Sequence, residues 1–542
     1  MAKAQFVNEF TYKNFIEQGK EPEFDALFEK GLEDARKLFG KTFPMYVAGR
    51  EVFAQERITE KSPIDGTVIG NFQKGTREHT RATIAEANKA FWNWKNTDYR
   101  ERVALFRKAA DVFSKNKFLL SAILSYENGK SRYESVGEVD EAIDFIRFYA
   151  NELEANKGFA RKTAMLQSTA KVPAGFQGAP SSKPEKGVIR LEPYGVFGII
   201  APFNFPVSIS TGMSAGAMIA GNTAIFKPSS TDSMTMLTGL KIYEYFKEAG
   251  LPSGVFNYVT GPGSEVGDEL VVNKDVAGIA FTGSRSVGTS MIKKAYDLGL
   301  QKAFVVEMGG KNAVIVSKHA DIDVAVDGVA SAAFGFDGQK CSACSRVYVH
   351  DSIKEQFISK LIEKVRHFKI GNPLEKGVYM GPLISQNAMK TYSEAVEKIR
   401  ATGRILYGGN KINTGLNGFY VEPTIAEVRH DNELVRKELF VPILIVESYK
   451  DFNDALRLAN DVEYGLTSGL YSKNNKEIKE YIDKMQAGLV YINRQTSATT
   501  GAIVGLHTFV GWKASSIGGK GTGSKFYLQQ FMREHSISLT KW

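Results

Sequence analysis

Between residues 195 and 306 the chain alternates short apolar runs with amphipathic stretches, and this alternation limits the possible fold more than any other feature. Residues 196–200, 222–226, 255–259, 278–281 and 303–306 read as strands. Helices are expected from about Asp232, near Glu265 and from near Arg285. Met236, Leu240 and Tyr243 fall at helical steps in the first of these, and Gly250 and Pro252 close it. Strand–helix–strand alternation predicts an α/β architecture, a doubly wound parallel sheet with helices on both faces. Such sheets take nucleotides at the carboxyl ends of their strands. A second α/β series, with AVIVS, FISKLIEKV and GLVYIN as its clearest segments, runs from Asn312 to about Asn493.

The flanking segments differ. Residues 76–156 read as helical, with Ile84, Ala87, Asn88 and Phe91 starting an apolar stripe and charged residues filling the opposite face. Over residues 158–193 the Gly-, Pro- and Ser-rich GFQGAPSSKPEKG separates two short apolar runs, as in a projecting hairpin or flap. The last fifty residues are rich in Gly, Ser and Thr and finish with the strand-like FYLQQFMRE. With 542 residues the chain is too long for one hydrophobic core, so two or three domains are expected.

Charge and composition exclude several classes. Lys and Arg exceed Asp and Glu by 69 to 60, but no run of five like charges occurs, so the excess forms no nucleic-acid footprint. Residues 193–226 carry no charge and are long enough to span a bilayer. They also contain Pro202, Asn204, Pro206 and many Gly, Ser and Thr, which are costly in lipid. A strand, a polar loop and a small-residue helix inside an enzyme account for them better, and no membrane partner is expected. The N-terminal MAKAQFVNEFTYKNF has neither the apolar core of a signal peptide nor the arginines of a transit peptide. Together with only two cysteines, this leads us to expect a reducing, cytoplasmic compartment.

Those cysteines, Cys341 and Cys344, stand in GQKCSACSR. Three readings are open from the residues alone: half a zinc site, a thioredoxin-type redox pair, or one nucleophile in a Gly-rich loop with the other thiol merely buried. Zinc would need further ligands, and there is no other Cys, while the 7 His are scattered. Two other segments bear on the choice. APFNFP (201–206) holds Asn204 in a Pro-bracketed loop after a strand, where a fixed amide can face a developing alkoxide. VVEMGGKN puts Glu307 at the carboxyl end of a strand, facing a cleft or a structural ion pair. FTGSRSVG (281–288) follows a strand and opens a helix, so its glycines let backbone and helix N-terminus approach a pyrophosphate.

Taken in order, PFNFP, IFKPS, FTGS, EMGGKN, the cysteine motif and KELF (437–440) resemble the aldehyde dehydrogenase superfamily from about Gly40 to the C-terminus. The resemblance implies Cys341 as nucleophile, Asn204 as a donor to the alkoxide and Glu307 as the base that activates water. It implies no metal. A helix end or nearby base would have to assist ionisation of Cys341. Lys227 and Ser230 would face the adenosine ribose, and Gly283, Ser284 and Gly288 the pyrophosphate. Glu438 and Phe440 would hold the nicotinamide ribose. NAD is the expected cofactor, with NADP possible because Ser230 stands where NAD-preferring relatives carry Glu. The implied division is a dinucleotide-binding domain (1–157 and 194–306), a catalytic domain (307–493), and a small β oligomerisation flap with a C-terminal strand (158–193 and 494–542). A homodimer or higher homo-oligomer follows.

Within the family, GQKCSACSR and TGAIVG (500–505) look like the glutamate-semialdehyde branch, with another small semialdehyde such as succinate semialdehyde as the alternative substrate. That likeness implies carboxylate binding by Ser342, Gly501 and Ala502, with Phe205 and Phe509 beside the aliphatic chain. Val510 and Ser516 replace usual glycines just downstream, and the valine is expected to restrict a backbone that favours φ > 0.

Overall fold

The computed structural model describes residues 6–166, 185–495 and 503–540. Its first large sheet has five central parallel strands: β1 (Val196–Ile200), β2 (Thr223–Lys227), β3 (Phe256–Tyr258), β4 (Gly278–Thr282) and β5 (Ala303–Glu307). Their spatial order is β5-β4-β1-β2-β3, so the chain moves outward through β3 and then returns to β1's other side. The expected doubly wound sheet is present, and its order reverses between β1 and β4. Strands β2 and β4 are buried at every residue, as continuous apolar runs covered on both faces require. Two N-terminal strands, Met45–Val47 and Arg50–Val52, extend one edge, and Ser516–Ile517 pairs antiparallel with β5 at the other.

The helical stretch before the sheet forms four helices, of which α1 (Arg132–Ala155) is the longest. Here one expectation fails. Charge does not keep to an outer face, because Arg132, Glu138, Asp140 and Asp144 are all buried. The helix is enclosed by its neighbours, and its charges survive inside because they are paired. The uncharged stretch is the expected strand, loop and small-residue helix, α2 (Ser208–Ile219), buried except at Ile209. Gly216 lets α2 approach closely: a Cβ there would stand 2.9 Å from both Tyr527 and Phe531. Helices α3 (Met236–Glu248) and α4 (Arg285–Asp297) follow β2 and β4. Among the described residues, no helix is long and apolar enough to cross a membrane.

The second sheet has seven strands. In sequence order they include β6 (Asn312–Val316) and β7 (Cys344–His350), which lie side by side and parallel at its middle. A third, antiparallel sheet joins Ala160–Leu166, Glu185–Pro193 and Met532–Thr540, consistent with a flap closed by the C-terminal strand. Most of the Gly/Pro/Ser-rich insert of the flap lies outside the described residues. The terminal FYLQQFMRE is only partly strand. Tyr527–Phe531 is a 3₁₀ turn, because Tyr527, Leu528 and Phe531 are all buried, a spacing that suits a helical turn better than an alternating strand. Neither Val510 nor Ser516 has positive φ, so the restriction expected of the valine does not arise; the turn takes its left-handed residues at Lys513, Gly518 and Gly519.

Candidate active site

Four candidate segments leave the carboxyl ends of adjacent strands: Asn204 after β1, Lys227 at the end of β2, Gly283 and Ser284 after β4, and Glu307 at the end of β5. This is where the switch in strand order opens a crevice. Asn204 is 3% exposed, and among the described residues its side-chain amide makes no hydrogen bond. Its backbone carbonyl accepts from Lys130 Nζ at 2.5 Å. A buried amide with unused donors is suited to a ligand that supplies an oxygen.

Among the described residues, Glu307 Oε1 is buried without a hydrogen-bond partner. Burial, followed by the charge of Glu141, pushes its pKa up to about 8. Glu141 is itself raised to about 7, chiefly by burial. The charge of Glu141 thus adds to burial in favouring the protonated form of Glu307 near neutrality. Glu307, Thr282, Met213 and Phe509 line a narrow cleft of about 20 Å³.

Cys341 is 8% exposed and Cys344 1%, and both are free thiols. Cys341 follows a turn in which Phe336, Asp337 and Gly338 are all left-handed, with φ of 47°, 56° and 65°. Two of these are not glycine, so the turn is strained and must be held from outside. Glu134 does so: its carboxylate accepts from Phe336 N at 3.1 Å and from Lys340 Nζ at 2.6 Å. On the far side Asn312 Nδ2 donates to Cys341 O at 2.7 Å and Ala343 O at 2.9 Å. Gly310 must lack a side chain because a Cβ would run into Cys341 O. Of the two aids expected for ionising Cys341, a helix end or a nearby base, the preceding helix does not supply the first: Ile322–Phe334 ends in the loop that leads to the thiol, offering its carbonyl end rather than its amide end. Burial and the carboxylates of Glu307 and Glu438 push the thiol well up, against the backbone N–H groups of Cys341 and Ser342. Cys344, which opens β7, donates to Arg346 O at 3.4 Å and is pushed up to about 12 by burial.

The cofactor candidates occupy the same crevice. Lys227 Nζ donates to Pro228 O and Ser230 Oγ, both at 3.2 Å, and has no carboxylate partner among the described residues. Burial lowers it to about 8. The Ser230 hydroxyl donates a hydrogen bond to Gly261 O and brings no negative charge. Ser284 caps α4, accepting from Val287 N, while Gly283 N donates to Glu307 O. Gly288 is buried where a Cβ would meet Met308 Sδ at 2.9 Å. Glu438 Oε1 accepts from Gly310 N at 2.9 Å, and a Cβ at Gly309 would displace that carboxylate. Burial pushes Glu438 up to about 7. Phe440 has φ of 60° and packs edge-on against Phe203, with ring centroids 5.8 Å apart. A buried ammonium with no carboxylate partner among the described residues, a helix N-terminus capped only by a serine hydroxyl and a half-buried carboxylate fit a ligand that carries phosphates and ribose hydroxyls.

Of the substrate candidates, Phe205 carries Lys130 Nζ 3.6 Å from its ring centre. Ser342 is buried, and its carbonyl accepts from Thr467 Oγ1 at 3.3 Å. Phe509 lines the Glu307 cleft and donates its N–H to Thr522 O at 3.1 Å. Gly501 and Ala502 lie outside the described residues. Sequence reasoning missed Lys130, Glu134, Glu138 and Glu141. The 134, 138, 141 spacing puts three glutamates on one helix face, the one signal that was available.

Residues 52–537 match the family described as Aldehyde dehydrogenase family. A 1-pyrroline-5-carboxylate dehydrogenase of Bacillus cytotoxicus is 35% identical over 518 residues, 94% of this chain and 95% of that one. The crystal structure of a 1-pyrroline-5-carboxylate dehydrogenase from Thermus with bound NAD superposes with a TM-score of 0.89 at 33% identity, covering 100% of both chains. Proline utilization A from Bdellovibrio bacteriovorus gives 0.88 at 33% identity, covering 99% of this chain and 53% of that larger one.

Proposed function

The chain belongs to the aldehyde dehydrogenase family, and from that premise we propose that it oxidises L-glutamate γ-semialdehyde, the open form of 1-pyrroline-5-carboxylate, to L-glutamate. The observation that carries the chemistry is that the Asn204 amide and a carboxyl near pKa 8 leave the carboxyl ends of one parallel sheet, while the Cys341 thiol, from the loop before β7 in the second sheet, lies close enough for that carboxyl's charge to bear on it. Lys227, Ser230, Gly283, Ser284, Gly288, Glu438 and Phe440 would hold NAD or NADP. When bound, that cofactor supplies the hydride acceptor.

The residues do the rest. Cys341 gives up its proton to solvent, Sγ adds as the thiolate to the aldehyde carbon, and the alkoxide so formed is held by the Asn204 amide and the Cys341 N–H. Once the hydride has left, the acyl group remains on sulfur as a thioester. Glu307 removes a proton from water as it attacks that thioester, and Cys341 leaves as thiolate. The sheets that carry these residues are consistent with a dinucleotide-binding unit around β1–β5 and a catalytic unit around β6 and β7. The outer edge of Met532–Thr540 is open to pair with a second copy, so a homodimer or larger homo-oligomer is proposed. The cytoplasm is the compartment that suits a catalytic thiol.

Substrate choice draws support from a chamber of about 300 Å³ adjoining the Glu307 cleft. Val510, Lys520 and Gly521 border both, and Lys520 and Lys525 line the chamber, with no carboxylate among its lining residues. Two ammonium groups lining the chamber favour an aldehyde that carries a carboxylate. Steady-state NADH formation from glutamate semialdehyde, succinate semialdehyde and propanal tests this. The kcat/KM is expected to be highest for glutamate semialdehyde and at least about tenfold lower for propanal, a gap of the size one charge–charge contact gives. A preference for propanal or succinate semialdehyde would reject the assignment. Asn204→Ala is expected to lower kcat by ~10²–10³, the cost of removing one oxyanion donor. A loss of only a few-fold in a folded protein would mean that the loop is merely structural.

A further inference from the structure

The Asn204 amide has no hydrogen bond of its own among the described residues, so its aim depends on the backbone that carries it. That backbone is gripped at two points by one carboxylate on α1. Glu138 Oε1 accepts from Val207 N at 2.7 Å and Ser208 N at 3.2 Å, at the start of α2. Glu138 Oε2 pairs with Lys130 Nζ, and Lys130 Nζ donates to Asn204 O at 2.5 Å. The loop from Asn204 to Ser208 is thus tied at both ends to the same side chain, directly and through one ammonium. Lys130 also lies over the rings of Phe205 and Phe336, 3.6 and 4.6 Å from their centres, so it touches the turn before Cys341 as well.

Lys130 and Glu138 are almost wholly buried, their side chains 1% and 0% exposed. Burial of a full ion pair adds little to stability compared with apolar packing of the same volume. Its distinctive property is direction: each of its hydrogen bonds fixes a backbone atom of the loop. A nucleophile and an oxyanion donor must be held to within a fraction of an ångström to act on one carbonyl group.

We propose that Glu138, acting through Lys130 and the α2 N-terminus, is a positioning residue that aims the Asn204 amide at the reacting carbonyl oxygen. This rests on the assignment of Asn204 and Cys341 above. Glu138→Gln keeps the shape of the side chain and removes its charge, leaving Lys130 without its counter-ion and loosening the hold on Asn204 O.

A double-mutant cycle with Asn204→Ala tests it, using the full-length protein with glutamate semialdehyde and NAD. Glu138→Gln in the otherwise unchanged enzyme is expected to lower kcat about 10–100-fold, with KM for aldehyde and NAD within about twofold. In the Asn204→Ala background the same change is expected to cost less than about threefold, because the group it aims is gone. Equal costs in the two backgrounds would mean that Glu138 only supports the fold, and would overturn the proposal. If Glu138→Gln is not recovered folded, Glu138→Asp keeps the buried charge, withdraws the carboxylate by one methylene and carries the same cycle. If Asn204→Ala alone leaves kcat unchanged, the oxyanion assignment fails and this inference with it.

Discussion

Cys341→Ser is expected to abolish aldehyde oxidation, by a factor of about 10⁴ or more, whereas Cys344→Ser keeps most of it. The two thiols are three residues apart in sequence but sit in different surroundings. Cys341 is in the loop that Glu134 and Asn312 hold from opposite sides, with the charges of Glu307 and Glu438 bearing on it. Cys344 is already part of β7, 1% exposed, with its sulfur bonded to Arg346 O. Serine at 341 preserves shape but offers a hydroxyl that is scarcely ionised and far less nucleophilic than a thiolate. Serine at 344 replaces a weak S–H donor with an O–H donor that can keep the bond to Arg346 O in a buried strand. Both variants are purified, checked for folding by circular dichroism, and assayed for NADH formation. Comparable losses in the two would restore the redox-pair reading of GQKCSACSR that composition alone left open.

What could be read in the sequence was whatever local periodicity encodes. The continuous apolar runs of β1 to β5 have one stable placement, between helices, and their order along the chain fixed the doubly wound sheet. The ends of those strands then put Asn204, Lys227, Ser284 and Glu307 at one crevice without any further assumption. Three things were not legible. The charged residues of α1 look like a solvated face, since a sequence does not reveal that a helix is enclosed on every side; Glu138 and Lys130 have meaning only through partners 69 and 74 residues away. The short Tyr527–Phe531 segment, with Gln529 and Gln530 between its apolar residues, lacks periodicity long enough to separate a strand from a 3₁₀ turn, and packing against α2 decided it. The backbone angle at Val510 depends on which neighbour absorbs the turn, and Lys513 and Gly518 do so. In each case the deciding contact is tertiary.

Glu307→Gln is expected to separate the two halves of the reaction. A rapid burst of about one NADH per active site should be followed by turnover slowed on the order of 10³–10⁴, because hydride loss precedes the step that needs a base. Glutamine is nearly isosteric, so the cleft with Thr282 and Phe509 persists, but it cannot take a proton from water. The wild-type enzyme should show the same dependence as a pH effect. Burial first, and Glu141 second, hold the Glu307 pKa at about 8, so near neutrality most of it is protonated and idle as a base. Thioester hydrolysis should therefore rise with pH through about 8 and level off above it, with the sign of a group that must lose its proton to act. In Glu307→Gln that rise should vanish from the slow phase while the burst remains. Stopped-flow NADH absorbance across pH 6–10, roughly the span over which such a group titrates, measures both phases. Wild-type turnover in the variant, or a rise with pH that survives the substitution, would mean that water is activated by another group and that Glu307 serves only to shape the cleft.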